Sequence, residues 1–206
     1  MNAPPILSAL GDSLTAGYIA SRGFPEYFPY TRILQKSLDT DCIIKNHGLD
    51  GDLTAGILKR LRSEVLGENP DLVLACGGAN DLGWETGIAE PLQNMTRVVE
   101  ECGRASVPVV LGAVPPIGAI FGYPENRPTR LRIQLNRELE KLGTRPGVSF
   151  VDLFWPLAKK SGTLKLTLSS DGLHLNKEGY TLMGELFLPA VQAVLAQRDE
   201  NERSNP

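Results

Sequence analysis

The chain has 206 residues, of which 42% are hydrophobic and 22% are charged, and its formal net charge is −3. This composition is that of an ordinary globular protein with one well-buried core. The slight acidic balance and the lack of a Lys/Arg cluster argue against a nucleic-acid partner. We therefore predict a single domain over residues 1–198, followed by a polar, disordered tail over residues 199–206.

The start of the chain and its cysteines bear on where the protein resides. Residues 1–5 show neither the basic nor the apolar segment of a secretory signal, and no apolar run approaches the ~20 residues of a membrane span. We expect a cytoplasmic protein, or a periplasmic one if a leader was removed, without stable membrane association. Cys42, Cys76 and Cys102 form no CxxC pair, so we expect buried reduced thiols rather than a metal or redox site.

Short apolar runs alternate with longer helical patterns along the chain. Apolar runs such as Leu72 to Cys76 are typical of strands covered on both faces, and the intervening stripes have helical spacing. In chain order we predict strand Ile6–Leu10, strand Cys42–Asn46, a helix with the stripe Ile57, Leu58, Leu61 and Val65, strand Leu72–Cys76, a helix with the stripe Ile88 to Cys102, strand Val109–Val114, a helix with the stripe Leu131 to Leu142, strand Val148–Leu153, and a last helix from about Lys177 to Gln197 that is kinked or broken at Pro189. This alternation predicts an α/β layer fold with a parallel sheet.

Polar clusters follow four of the predicted strands. Ser13 follows the first strand, residues 46–51 the second, residues 77–81 the third, and Asp171 and His174 the fifth. Each cluster alone is typical of an ordinary turn. Because ligands of parallel α/β sheets bind beyond the carboxyl ends of the strands, the joint placement predicts a functional site on this rim.

Ser13, Asp171 and His174 are the residue types of acyl-transfer chemistry. A serine hydroxyl is a poor nucleophile until a positioned imidazole takes its proton, and a carboxylate can orient that imidazole. The sequence contains no Gly-x-Ser-x-Gly elbow, HExxH, P-loop or GxGxxG motif. Their absence argues against the α/β-hydrolase, metalloprotease, P-loop and dinucleotide-binding classes.

With these motifs the sequence resembles the GDSL, or SGNH, hydrolase superfamily, in the branch of small bacterial esterases, lysophospholipases and acyl-CoA thioesterases. The four blocks occur in the family's order, as Gly11-Asp12-Ser13-Leu14-Thr15-Ala16-Gly17, Gly51, Gly78-Ala79-Asn80-Asp81 and Asp171-Gly172-Leu173-His174. The resemblance covers nearly the whole chain. It implies a three-layer α/β/α, flavodoxin-like fold with a five-stranded parallel sheet.

The resemblance also implies roles for individual residues. Ser13 would be the nucleophile, His174 the base and Asp171 the residue that orients His174. The oxyanion hole would combine the backbone N–H groups of Ser13 and Gly51 with the side-chain amide of Asn80, and no metal or cofactor would be needed. Gly48 lies in the same loop as Gly51 and is the alternative donor. His47 is the other histidine, for which a loop role is favoured over an alternative base or a substrate-binding role.

The stretch Pro115 to Pro124 is apolar and rich in glycine and proline, which suits a substrate-facing flap on the same rim, and a loop that only packs on the core is the alternative. The predicted pocket residues are Leu82, Trp84, Ile117, Ile120 and Phe121. We expect a serine esterase of the carboxylesterase, lipase-like or arylesterase kind, acting on small-molecule esters with short- to medium-chain acyl groups, with thioesters and lysophospholipids as further candidate substrates. The alternatives are a carbohydrate acetyl esterase and a catalytically silent binding protein, although the second predicts a damaged triad or oxyanion set.

Overall fold

Strands and helices alternate along the computed structural model, which describes residues 3–21, 23–38, 42–83, 87–118 and 127–204. In chain order the elements are β1 (Ile6–Gly11), α1 (Ser13–Ala16), β2 (Tyr18–Ile19), β3 (Glu26–Tyr27), α2 (Thr31–Ser37), β4 (Ile43–Gly48), α3 (Thr54–Arg60), a π-helical turn (Leu61–Val65), a 3₁₀ turn (Leu66–Glu68), β5 (Leu72–Ala75), α4 (Ala79–Gly83), α5 (Ala89–Arg104), β6 (Val109–Gly112), α6 (Arg127–Leu142), β7 (Val148–Val151), α7 (Phe154–Leu157), a 3₁₀ turn (Leu166–Leu168) and α8 (Lys177–Ser204).

The central sheet has five parallel strands in the order β4-β1-β5-β6-β7. Helices α2 and α8 pack together on one face, and α3, α5 and α6 pack in sequence on the other. This arrangement confirms the predicted three-layer, flavodoxin-like fold. The chain leaves β1 for β4 on one side and then crosses to β5 on the other, so a topological switch point lies between β1 and β5.

Each of the five predicted strands is present, with ends that differ from the prediction by at most two residues. Strands β5 and β6 are buried along their whole length, as their continuous apolar sequences require. The Ile57–Val65 stripe is buried at each of its four apolar positions, although the helix passes from α3 into the π-helical turn at Leu61. Cys42, Cys76 and Cys102 are buried and form no disulfide within the described residues, and burial raises the pKa of Cys102 to about 12.

The last helix differs from its prediction. α8 continues through Pro189 and reaches Ser204, so residues 199–204 are helical where a disordered tail was expected. Arg198 anchors this end of the helix because its Nε donates to Asp71 Oδ1 at 2.8 Å. Residues Lys177–Arg198 are also long and apolar enough to cross a membrane by length and composition. The side chains of Tyr180, Met183, Phe187 and Val191 are buried in the core, as in the core helix of a layered fold.

Candidate active site

The turn after β1 places Ser13 at the edge of the sheet. Asp12 caps α1, because its Oδ1 accepts the N–H of Leu14 at 2.9 Å and its carbonyl accepts the N–H groups of Thr15 and Ala16. Ser13 is the first residue of α1 and is 7% exposed. Burial raises the pKa of Asp12 to about 6. The serine hydroxyl therefore lies on a tight strand-to-helix turn held from beneath by a buried carboxyl group.

His174 lies beside Ser13 although the two residues are 161 positions apart in sequence. The Nε2 atom of His174 is 3.2 Å from Ser13 Oγ, and its Nδ1 atom is 2.7 Å from Asp171 Oδ2. The other oxygen of Asp171 accepts the backbone N–H groups of Leu173 and His174 at 2.8 and 2.7 Å. The hydroxyl, the imidazole and the carboxylate thus form one continuous line of hydrogen-bonding groups.

Asp171 is held in its ionised form by this geometry. Partial burial acts to raise its pKa, but the hydrogen bond with the His174 ring and the two backbone N–H groups outweigh burial and lower the pKa. Ser169 fixes the same loop, since its Oγ donates to the carbonyl of His174 at 2.6 Å and accepts the N–H of Gly172 at 2.9 Å. The carboxylate and the imidazole are therefore both fixed by their own loop.

Gly51 and Gly48 differ in what their N–H groups do. Gly51 has a φ of +74°, which favours glycine, and a Cβ built there would meet no atom within 4 Å. Within the described residues its N–H donates to no group. The N–H of Gly48, by contrast, donates to Asn46 Oδ1 at 2.9 Å. Of the two glycines, Gly51 has the N–H that is available to a substrate.

Asn80 lies in the first turn of α4, after β5. Its Nδ2 donates to the carbonyl of Asp52 at 2.8 Å. An amide nitrogen carries two hydrogens, so this contact uses one of them and orients the other. Asp81 beside it accepts the N–H and the hydroxyl of Thr54, which ties α4 to the start of α3.

Arg60 joins three segments of the rim, a contact that sequence analysis missed. Its Nε and an Nη atom donate to Asp52 Oδ2 at 2.9 and 2.7 Å. The same guanidinium donates to the carbonyls of Gly11 at the end of β1 and His47 near the end of β4, at 2.8 and 2.6 Å. The Arg60 side chain is 12% exposed. The sole sequence signal was an arginine between two buried leucines of the helix stripe.

Strands β2 and β3, here called the tyrosine ribbon, cover another side of the site. Tyr18 and Tyr27 are paired across the ribbon, and the Tyr18 ring lies edge-on to the His174 ring with centroids 4.6 Å apart. The Tyr27 hydroxyl donates to Asp50 Oδ2 at 2.6 Å, and Asp50 is the residue directly before Gly51 in the sequence. The N–H of Gly118 donates to the carbonyl of Gly172 at 2.6 Å, which joins the segment after β6 to the loop that carries His174. The ribbon was also missed, because strands of two residues have no periodicity to detect.

The predicted pocket residues are only partly visible in the structure. Leu82 is 2% exposed and Ile117 is 8% exposed, so both side chains pack in the interior and offer little surface to a substrate. Trp84, Ile120 and Phe121 lie outside the described residues.

His47 belongs to β4 rather than to a loop. Side chains alternate along a strand, so His47 points away from the face on which Asn46 contacts Thr15, and its Nε2 lies 3.4 Å from Glu68 Oε2. The structure therefore does not bring His47 to Ser13. No group of three or more His, Cys, Asp or Glu residues within the described ranges could hold a metal ion.

Comparison with known proteins places this geometry in a family. The GDSL-like lipase/acylhydrolase family matches residues 9–182, which include every residue of the site described above. The chain belongs to this family. Its members are ester-cleaving hydrolases, and this GDSL protein is one of them. A search of the curated proteins gave no match.

Solved structures of GDSL hydrolases share the fold over nearly the whole chain. A lipase/acylhydrolase from Enterococcus faecalis is 26% identical, covers 92% of this chain and 96% of its own, and superposes with a TM-score of 0.73. The aryl esterase of M. smegmatis is 17% identical over 92% of this chain and 99% of its own, with a TM-score of 0.73. A catalytic mutant of an acetylxylan esterase from Geobacillus stearothermophilus is 20% identical over 92% and 95%, with a TM-score of 0.72. The last two likenesses show the fold alone.

Proposed function

We propose that this GDSL hydrolase is a serine esterase in which Ser13, His174 and Asp171 are the catalytic triad. The observation that carries the proposal is the 3.2 Å distance between Ser13 Oγ and His174 Nε2, with Asp171 Oδ2 2.7 Å from the other ring nitrogen. A base within this distance can accept the hydroxyl proton as Oγ attacks the ester carbonyl. The lowered pKa of Asp171 keeps its carboxylate ionised, so it can hold His174 in the tautomer that leaves Nε2 free.

The reaction then proceeds in two halves. The Ser13 proton moves to His174 Nε2 as the Oγ–carbon bond forms, and it passes to the alcohol oxygen as the ester bond breaks. This leaves an acyl group on Ser13 and releases the alcohol. A water molecule, deprotonated by His174, attacks the acyl carbonyl, and the carboxylic acid leaves as Ser13 recovers its proton. No step requires a metal or a cofactor.

The negative charge on the carbonyl oxygen needs donors that already face it. We assign this role to the backbone N–H groups of Ser13 and Gly51 and to the Asn80 amide. The free N–H of Gly51 and the occupied N–H of Gly48 support the choice between the two glycines. The bond from Asn80 to the Asp52 carbonyl supports the third donor, because it fixes the orientation of the amide before substrate binds.

For the substrate we propose short- to medium-chain acyl esters, with thioesters or lysophospholipids as further candidates. Membership of a lipase/acylhydrolase family supports an acyl substrate. Each additional buried CH₂ of the acyl chain contributes about 0.8 kcal/mol of binding until the site is full, so kcat/KM should rise with chain length over a series from acetate to hexanoate. The alternative is a carbohydrate acetyl esterase, and acetylated xylan turned over in preference to butyrate and hexanoate esters would favour it.

The triad is tested by replacing the nucleophile. We expect Ser13→Ala to remove nearly all esterase activity and all labelling by a fluorophosphonate, while circular dichroism and thermal melting stay close to those of wild type. Ser161→Ala, which removes a hydroxyl bonded only to Thr163 within the described residues, is the matched control and should label fully. Equal labelling of Ser13→Ala and wild type would refute the assignment.

A further inference from the structure

The tyrosine ribbon lies beside the His174 ring, whose Nε2 atom must protonate the leaving group. The Tyr18 and His174 rings meet edge to face with an interplanar angle of 62°, and the Tyr27 ring packs edge-on to Tyr18 with centroids 5.8 Å apart. Tyr27 is 46% exposed. A pair of aromatic rings therefore extends from the imidazole outward, and the residue that carries the outer ring is exposed to solvent.

The ribbon is fixed in place at several points. The hydroxyl of Tyr180 donates to the carbonyl of Tyr18 at 2.7 Å, and Ser170 Oγ donates to the carbonyl of Ala20 at 2.8 Å. The N–H of Phe28 donates to the carbonyl of Gly17 at 2.7 Å. Because these contacts hold the backbone that carries the two rings before any ligand arrives, binding to the rings would require little ordering of the protein.

The chemistry of the triad places one half of the ester next to the ribbon. The carbonyl oxygen must face Gly51 and Asn80, and the alcohol oxygen must lie within hydrogen-bonding distance of His174 Nε2 to receive its proton. The acyl chain, by contrast, is the substituent of the carbonyl carbon that needs no contact with Nε2. The alcohol moiety is therefore the part of the substrate that must lie near the His174 ring, and Tyr18 and Tyr27 extend from that ring.

We propose that Tyr18 and Tyr27 form an alcohol-side subsite that favours esters whose alcohol carries a ring with a flat apolar face. The inference rests on the proposed function, because it assumes that His174 protonates the leaving oxygen. Aromatic rings bind such faces by stacking or by edge contacts, whereas a linear alkyl alcohol lacks the matching geometry. An aryl ring and a sugar ring both present a face of this kind, and the choice of substrates distinguishes them.

The experiment compares esters that differ in the alcohol alone. Benzyl butyrate and n-butyl butyrate have the same acyl group and similar alkoxide leaving groups, and acetylated xylan is compared with ethyl acetate. Tyr27→Leu should lower kcat/KM for benzyl butyrate, or for acetylated xylan, by about 3- to 10-fold, mainly through KM, and leave the linear partner unchanged. A loss confined to the benzyl ester assigns the subsite to aryl alcohols, and one confined to xylan assigns it to sugars.

Two further variants separate the ring from its other contacts. Tyr27→Phe keeps the ring and removes the bond to Asp50, so it should keep the preference for the ring-bearing ester. Trp155→Ala removes another exposed aromatic, on α7, and should change neither ratio. Equal losses for cyclic and linear esters, or a loss in Tyr27→Phe as large as in Tyr27→Leu, would overturn the subsite.

The same assays keep the two proposals apart. Both esters are first shown to require Ser13 with the Ser13→Ala variant, which tests the proposed function by itself. If that variant is inactive and the Tyr27→Leu ratios equal those of wild type, the subsite fails and the triad stands. Thermal melting of each variant shows that it is folded.

Discussion

At the scale of single residues, the Asn80 side-chain amide donates one hydrogen bond within the described part of the protein and has a second hydrogen to donate. Its bond to the Asp52 carbonyl uses one amide hydrogen, and the proposed mechanism assigns the other to the developing oxyanion. We expect Asn80→Ala to lower kcat by roughly 10²–10³-fold with a much smaller change in KM, because the oxyanion forms only beyond the ground state. Steady-state kinetics with a p-nitrophenyl ester measures both constants. A change confined to KM would make Asn80 a substrate-positioning residue instead.

Several residues of the candidate site could be predicted from the sequence, because they occur in a recognisable order and spacing. Ser13, Gly51, Asn80, Asp171 and His174 each follow a strand, and the parallel sheet collects its strand ends on one rim. The contacts of Arg60 and Tyr27 could not be predicted in this way. Each is a side-chain contact with a segment distant in sequence or across a loop, and neither leaves a pattern at a fixed spacing.

Burial was also hard to predict at single positions. Leu82 and Ile117 were expected to line a pocket because they are apolar and follow strands, but an apolar residue at a rim can turn inward as readily as outward. In the structure both are interior. Composition identifies an apolar residue, and only the packing of its neighbours decides which surface it meets.

At the scale of elements, α1 and β4 approach so closely that their contact admits no side chain. A Cβ on Gly48 would overlap the backbone nitrogen of Ala16, and α1 carries Ser13. We expect Gly48→Ala to destabilise the fold by about 1–3 kcal/mol through overpacking and to lower kcat by displacing the nucleophile. Urea unfolding and esterase assays measure the two effects.

Gly103→Ala is the matched control for that variant. Gly103 lies in α5, and a Cβ built there meets no atom within 4 Å. Alanine is a better helix former than glycine, so this change should be neutral or stabilise the protein by up to ~1 kcal/mol. Similar behaviour of the two variants would contradict the close approach of α1 and β4.

The predicted helices and strands were right where the apolar pattern was long. The five main strands and the helices α3, α5, α6 and α8 follow periodic stretches, and all are present. The short elements α1, α2, α4 and α7 and the tyrosine ribbon were not predicted, since two to seven residues contain at most about two helical turns and show no clear period. α8 continues past Pro189 as one helix, as the predicted helix from Lys177 to about Gln197 requires, and it extends further, to Ser204.

At the scale of the whole molecule, the buried carboxyl of Asp12 couples stability to pH. Burial raises its pKa from 3.8 to about 6, so the folded state holds the proton more tightly than the unfolded chain does. The stabilisation that the folded state gains from the protonated Asp12 carboxyl is complete below about pH 4 and is lost as the pH rises through about 6. Asn keeps the capping oxygen of this residue without a charge.

We therefore expect Asp12→Asn to become more stable relative to wild type as the pH rises from 4 to 7, by on the order of 1–3 kcal/mol. Urea unfolding at several pH values gives the difference. Asp152→Asn is the matched control. Asp152 Oδ1 accepts the N–H of Phe154, two residues ahead, at 2.8 Å, as Asp12 accepts that of Leu14, but Asp152 is exposed. A difference for Asp12→Asn that does not vary over this range contradicts the buried carboxyl.

Asp71 has a consequence for how the polypeptide is laid out. Its Oδ2 accepts the N–H of Ile6 at the start of β1, and its Oδ1 accepts the Nε of Arg198 near the end of α8, both at 2.8 Å. The start of β1 and the last part of α8 thus contact one carboxylate, at the end of the parallel strands opposite Ser13. We therefore expect a tether or a protein fused ahead of β1 or behind α8 to begin on the side of the sheet away from Ser13. A short linker between these two points would allow the chain to be opened elsewhere, in a circularly permuted form that keeps the same sheet.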